Sequence, residues 1–246
     1  MNENASVNWT LITGVSRGLG LAIARRLLQN DGAVLGLSRS QPEVLTELAS
    51  KYPDSFQHLT ADLGSSAALA ETLQSNIPTE LRIAGLVNNA ATAYDDLVSN
   101  LDQSQLESMF QTNVFAAMQL SKFCIRRMLL HKISGSIVHI SSVSAHTGFK
   151  GLSMYAASKA ALEGFSKNLA REWGRMKIRS NCVVPGFMES DMSAGLDAEQ
   201  KNKIYNRTAL NEATSMESVA STVEHLLSQD SKSITGQNLV VDSGTI

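Results

Sequence analysis

The chain has 246 residues, 43% hydrophobic and 18% charged, enough apolar material for one domain with a sizeable core. A formal net charge of -2 argues against a protein built to coat nucleic acid or an anionic membrane. Sixteen glycines, four prolines and two cysteines exclude collagen-like, low-complexity and disulfide-scaffold designs.

Short apolar runs alternate with segments of helical period. Residues 9–13 read as a buried strand, 19–30 as a helix closed by Asp31-Gly32, and 33–38 as a second strand. A helix is predicted over 42–51, a strand over 56–60 and a helix over 66–77, capped by Ser65 or Ser66. Residues 85–88 form a short strand, and 106–130 a long helix ended by the Gly-containing stretch 134–136. A strand at 137–140 leads to a second long helix at 154–173. Strand 178–184 ends at Pro185-Gly186, and helix 216–227 precedes a last strand at 239–241. Repeated strand-helix-strand order implies an α/β domain with a doubly wound parallel sheet and helices on both faces. No linker or repeat divides it, so one domain spans 1–246. Residues 187–215 are the least regular, and follow a strand's carboxyl end, where ligands of open α/β sheets bind. They read as a substrate lid or as a plain surface insertion.

The N-terminus, Met1-Asn2-Glu3-Asn4, lacks a basic-then-apolar leader, and no apolar run reaches the roughly 20 residues of a membrane helix. Cys124 and Cys182 lack metal-site spacing. The expectation is a cytoplasmic protein with reduced thiols, no metal, and no nucleic-acid or membrane partner.

The first strand runs into Thr13-Gly14-Val15-Ser16-Arg17-Gly18-Leu19-Gly20. Glycines between a strand and a helix start let backbone approach a pyrophosphate, and the helix end offers it unpaired N–H groups. The second strand ends in Ser38-Arg39-Ser40, with no acid to meet a ribose 2′-OH. Arg39 is placed instead for a 2′-phosphate, and Arg17 could reach the same group, which favours NADP(H).

Tyr155 and Lys159 lie four apart in a helical segment and share a face. A cation beside a phenol lowers its pKa and suits it to proton transfer. Ser141 and Ser142 follow a strand, so a hydroxyl there could hold a substrate oxygen. Asn113 sits among apolar helix positions and is either a buried amide satisfied by a carbonyl or a water-holding link in a proton relay.

Taken together, Thr-Gly-x3-Gly-x-Gly, Asn88-Asn89-Ala90, Asn113, Ser142, Tyr155-x3-Lys159 and Pro185-Gly186 resemble the short-chain dehydrogenase/reductase family from about Trp9 onward. The resemblance implies a Rossmann-like sheet of seven strands, a homotetramer or homodimer whose two long helices pair across subunits, and catalysis by Asn113, Ser142, Tyr155 and Lys159. It selects Ser142 over Ser141. It also implies a cofactor-binding set of Gly14, Ser16, Arg17, Leu19, Arg39, Asp62, Leu63, Asn89, Ala90, Ile140, Tyr155, Lys159, Pro185, Gly186 and Met188.

Segments 164–172, 181–192 and 234–236 look most like the family's 3-oxoacyl-acyl-carrier-protein reductases. The implied activity is NADPH-dependent reduction of a 3-oxoacyl thioester, on acyl-carrier protein or CoA. The carrier is acidic, and His131, Lys132, Arg175, Lys177 and Arg179 are expected to border the site as its docking face. The chain departs from that pattern at Ala91, at Ser243 and at 207–213, where Pro-Leu-Gly-Arg is missing. These departures favour the alternative of another ketone or alcohol, such as a sugar, polyketide or secondary metabolite. A non-catalytic nucleotide-binding protein is the remaining reading.

Overall fold

A computed structural model describes residues 7–190, 195 and 197–246. The apolar runs become strands β1 (Trp9–Thr13), β2 (Ala33–Ser38), β3 (Phe56–Thr60), β4 (Ile83–Asn88), β5 (Gly135–Ile140), β6 (Ile178–Pro185) and β7 (Asn238–Val241). They form one sheet in the order β3-β2-β1-β4-β5-β6-β7, with every neighbouring pair parallel. The helices are α1 (Gly18–Gln29), α2 (Glu43–Lys51), α3 (Ser66–Asn76), α4 (Gln103–Phe110), α5 (Ala116–Leu130), α6 (Ser153–Trp173), α7 (Ala198–Tyr205) and α8 (Met216–Leu227).

Successive strand side chains point to opposite faces, so each strand feeds two cores. Leu11, Leu35, Leu86 and Ile137 pack with Leu69, Leu120 and Met128 from α3 and α5. Ile12, Val34, Val87 and Val138 pack with Ile23, Leu45 and Val223 from α1, α2 and α8. β2 and β5 are buried along their whole length, as strands covered on both faces must be. On the second face, Arg26 of α1 and Asn30, which caps its end, both donate to Glu224 of α8, at 2.6 and 2.5 Å.

Strands β1, β2 and β3 and helix α8 occupy the predicted residues, and Ser65 caps α3 by accepting from Ala68 N. The helix predicted over 106–130 differs. It starts at Gln103, where Asp102 accepts from Gln105 N, and a π-turn at Gln111–Phe115 splits it into α4 and α5. Spacing could not show the turn, because Phe110, Val114 and Ala117 keep a helical interval across it. The stretch 134–136 is not a helix-ending loop. Lys132, at φ 52, makes the turn, and Gly135 and Ser136 open β5. Ser136 is buried because its hydroxyl donates to Leu226 O at 2.7 Å. The irregular segment 187–215 contains α7, started by a reciprocal capping box between Asp197 and Gln200. Residues 191–194 and 196 of that segment lie outside the described residues.

Leu120 is 1% exposed and fills the core between α5 and β4. Leu120→Ala should cost about 2–5 kcal/mol of unfolding free energy in urea, through the lost contacts and the cavity left behind.

Candidate active site

The strand order turns back at β1, since β2 and β3 lie on one side of it and β4 to β7 on the other. A crevice opens at the carboxyl ends of the strands at such a point. Side chains stitch it at its base. Thr13 Oγ1 accepts from the backbone N–H groups of Asn89 and Ala90, each at 3.0 Å, and Asn89 Nδ2 donates to Thr13 O at 2.8 Å. The glycine loop is held against this stitch. Gly14 has φ 74, and a Cβ on Gly20 would lie 2.2 Å from Gly14 O, so α1 meets the loop backbone to backbone. Arg17, the first cap of α1, is extended, no side chain caps the helix, and its first turn carries no acid. That end of α1 is therefore suited to an anion.

The crevice widens into a cleft of about 320 Å³, open to solvent and within the usual range for a small-molecule site. One wall carries Ser16, Arg17, Leu19, Arg39, Asp62 and Leu63. The other carries Ile140, Ser142, Tyr155, Lys159, Pro185, Gly186 and Met188, with Gly14, Asn89 and Ala90 between. Asn113 alone of the expected residues does not line it, although its neighbour Thr112 does. Ser38 and Thr92 line the cleft without having been singled out. Ser38 Oγ donates to Ser40 O at 2.8 Å and lies 2.8 Å from His58 Nε2. Only the pairing of β2 with β3 brings His58 there, so the single strands gave no signal of it.

At the far end, Lys159 is buried and its Nζ donates to Ile140 O at 2.8 Å, 5.6 Å from the centre of the Tyr155 ring. Burial brings the Lys159 ammonium down to about 8. The expected lowering of the Tyr155 pKa is not found. Burial and the Asp95 carboxylate push it up to about 12, and a hydrogen bond with Ser142 only partly offsets them. Desolvation of the phenolate outweighs a lysine that is itself desolvated and committed to a carbonyl. Ser142 caps the turn Val143–Ala145, its Oγ accepting from Ser144 N at 3.2 Å and lying 3.0 Å from Ser144 Oγ.

Asn113 is buried in the π-turn. It accepts from Thr92 N and donates to Thr92 O, both at 2.9 Å, and donates to Ser158 Oγ at 3.0 Å. The extra residue of the turn aims its amide inward, and a carbonyl does satisfy it, joining α6 to the loop after β4.

The basic residues expected to border this site do not. Lys132 and His131 precede β5, and Arg175, Lys177 and Arg179 flank the start of β6, at the opposite end of the sheet from the cleft of the same chain. Arg179 is spent on the carbonyls of Ser228 and Ile234, and His131 Nε2 lies 2.9 Å from Thr79 O. The helix-end reading failed because those are the ends of α5 and α6 that lead into the amino ends of strands.

The described part of the segment after β6 packs on itself and on the chain's last residues. Phe187 packs against Tyr205 with ring centres 6.1 Å apart, and the Tyr205 hydroxyl donates to Glu189. Ala209 N and Leu210 N donate to Gly244 O and Ser243 O, each at 3.1 Å. Two departures from the reductase pattern, Ser243 and 207–213, therefore touch. Ser243 has φ 55, the left-handed region that favours the glycine it replaces.

Comparison with known proteins agrees with this architecture. A family model described as enoyl-(acyl carrier protein) reductase matches residues 14–245. The 3-oxoacyl-(acyl-carrier-protein) reductase of Chlamydia pneumoniae is 32% identical over 236 residues, covering 95% of both chains. Among solved structures, a 4-hydroxyisoleucine dehydrogenase complexed with NADH is 26% identical, with a TM-score of 0.91 over 97% of this chain and 98% of that one. A blue fluorescent protein from a metagenomic library, in complex with NADPH, is 28% identical, with a TM-score of 0.87 over 99% of both. The chain belongs to the short-chain dehydrogenase/reductase family, oxidoreductases that interconvert CH–OH and C=O groups with a nicotinamide cofactor.

Proposed function

We propose that the protein is an NADPH-dependent carbonyl reductase whose substrate is a 3-oxoacyl thioester. Ser142, Tyr155 and Lys159, brought together in a cleft whose glycine loop fits a pyrophosphate, carry this reading. Bound nicotinamide would supply the hydride. Tyr155, pushed up to about 12, stays protonated at neutral pH and donates the proton to the carbonyl oxygen. Ser142 holds that oxygen as charge develops on it. Lys159 orients the cofactor's ribose, and Asn113 braces the chain beside it through Thr92 and Ser158. Arg39 and Arg17 meet a 2′-phosphate at the acid-free end of β2.

The thioester is supported by the 32% identity to a 3-oxoacyl-(acyl-carrier-protein) reductase. Another ketone or alcohol is favoured by the departures at Ser243 and Leu210, which are linked by a hydrogen bond. Helices α5 and α6 are the faces for pairing across subunits in a homodimer or homotetramer, in the cytoplasm. Phe115 and Leu130 leave exposed apolar surface beside α5.

Acetoacetyl-CoA with NADPH, followed by loss of NADPH absorbance, tests the substrate class. Turnover that prefers NADPH over NADH supports the thioester reading, and tight NADPH binding without turnover rejects it for another carbonyl. Tyr155→Phe keeps the ring packing and loses the proton donor, so turnover should fall roughly 100-fold or more with cofactor affinity intact. Arg39→Asp should lower the NADPH-to-NADH ratio of kcat/KM by about tenfold or more through repulsion of the 2′-phosphate. An unchanged ratio would show that Arg39 does not read that group.

A further inference from the structure

We infer that Glu163 is a positioning residue for Ser142, clasping both flanks of the turn that carries it. The inference rests on the reading of Ser142 as the holder of the substrate oxygen.

Helix α6 places Tyr155, Lys159 and Glu163 four residues apart, on one face. Glu163 is buried, at 8% exposure, an unusual position for a carboxylate unless it is fully engaged. Three groups engage it. Ser141 Oγ donates to Oε1 at 2.5 Å, His146 Nε2 lies 2.9 Å from the same oxygen, and Asn238 Nδ2 of β7 donates to Oε2 at 2.6 Å. Ser141 precedes Ser142, and His146 follows the turn Val143–Ala145. One carboxylate oxygen thus holds the chain on both sides of Ser142.

The turn closes on itself, since Ala145 N donates to Ser142 O at 3.0 Å and Ser144 bonds Ser142 Oγ. Backbone bonds from Ser141 N to Val183 O align its entry with the sheet. The direction in which the closed turn presents Ser142 toward α6 is set by Glu163, because α6 also carries Tyr155. The carboxylate so fixes hydroxyl and phenol in one frame. Its second oxygen ties that frame to β7, next to the tail that meets the segment after β6.

Glutamine should replace it well at Oε1, where an oxygen suffices. On the other side, Asn238 Oδ1 is buried without a hydrogen-bond partner, so a flipped Asn238 amide could accept from the glutamine N–H.

The test compares Glu163→Ala, Glu163→Gln, Ser142→Ala and the double variant Ser142→Ala/Glu163→Ala, with acetoacetyl-CoA and NADPH. Hydrogen exchange of the peptide spanning 141–147 gives a readout independent of turnover. Glu163→Ala should lower kcat about 10- to 100-fold, the range for a misplaced catalytic group, with the NADPH Kd within about twofold. Exchange in 141–147 should quicken, and Glu163→Gln should recover most of both. In the Ser142→Ala background, removal of Glu163 should cost nothing further. Equal cost in both backgrounds, a glutamine variant as slow as the alanine one, or unchanged exchange overturns the inference. Normal kcat in Ser142→Ala overturns instead the reading of Ser142. If Glu163→Ala shows no cooperative unfolding transition, Ser141→Ala and His146→Ala remove the same clasp one donor at a time and are held to the same cycle with Ser142→Ala.

Discussion

Everything in the molecule depends on the pairing of β1 with β4. These neighbours are separated in the chain by two further strands that lie on the other side of β1. The layers on either side therefore diverge at their carboxyl ends, and backbone N–H groups there face a gap instead of a ladder. Thr13 answers this with one hydroxyl that takes two of them, from Asn89 and Ala90. The same contact holds the glycine loop against the end of β4, and Gly20 lets α1 start flush with it. A hydrogen-bonded floor then lies beneath the cleft.

On that floor the polar chemistry is spread over few side chains, each constrained by burial. Lys159 is an ammonium with no carboxylate partner among the described residues, held by the Ile140 carbonyl, and desolvation lowers its pKa. Tyr155 moves the other way for the same reason, since burial disfavours whichever form is charged. The cluster is kept in shape by groups that are not themselves reactive. Asn113 spans from the loop after β4 to Ser158, beside Lys159, and Glu163 spans from α6 to the Ser142 flanks and β7. Both lie on helices whose other faces are packed on the sheet, so the reacting groups inherit the rigidity of the core.

Much of this was legible because it is local. Strand spacing, the glycine loop, the absence of an acid after β2 and the Tyr155–Lys159 interval all lie within a few residues of chain. What was not legible depends on contacts between distant segments. The π-turn at Gln111–Phe115 leaves the apolar interval intact and is visible only once Asn113 has found Thr92. The direction of the Tyr155 shift depends on how deeply α6 and the loop bearing Asp95 cover the phenol, and no spacing reports depth. His58 reaches Ser38 only through sheet register. The basic cluster at 131–132 and 175–179 shows the reverse failure, where a helix end was recognised but the end of the sheet it serves was not. The capping box at Asp197 and Gln200 was readable in principle, as an acid three residues before a glutamine, within a segment otherwise too irregular to suggest a helix.

The same contrast separates reaction from substrate. Tyr155 and Lys159 sit on α6 and Ser142 in a hydrogen-bonded turn after β5, whereas residues 206–215 and the C-terminal tail are loop. There the departures are coordinated. Leu210 and Ala209 hydrogen-bond to Ser243 and Gly244, and Ser243 accepts a left-handed backbone in order to stay in that contact. Asp242 secures the far side of the tail by accepting from the N–H groups of Gly244, Thr245 and Ile246. A change at 207–213 is therefore felt at 243, and the reverse, so that the two departures act as one. Neither reaches Ser142, Tyr155 or Lys159 directly. Loop contacts of this kind can change while the strands and helices keep their packing, and the kind of reaction is therefore written more plainly in this chain than the identity of its substrate.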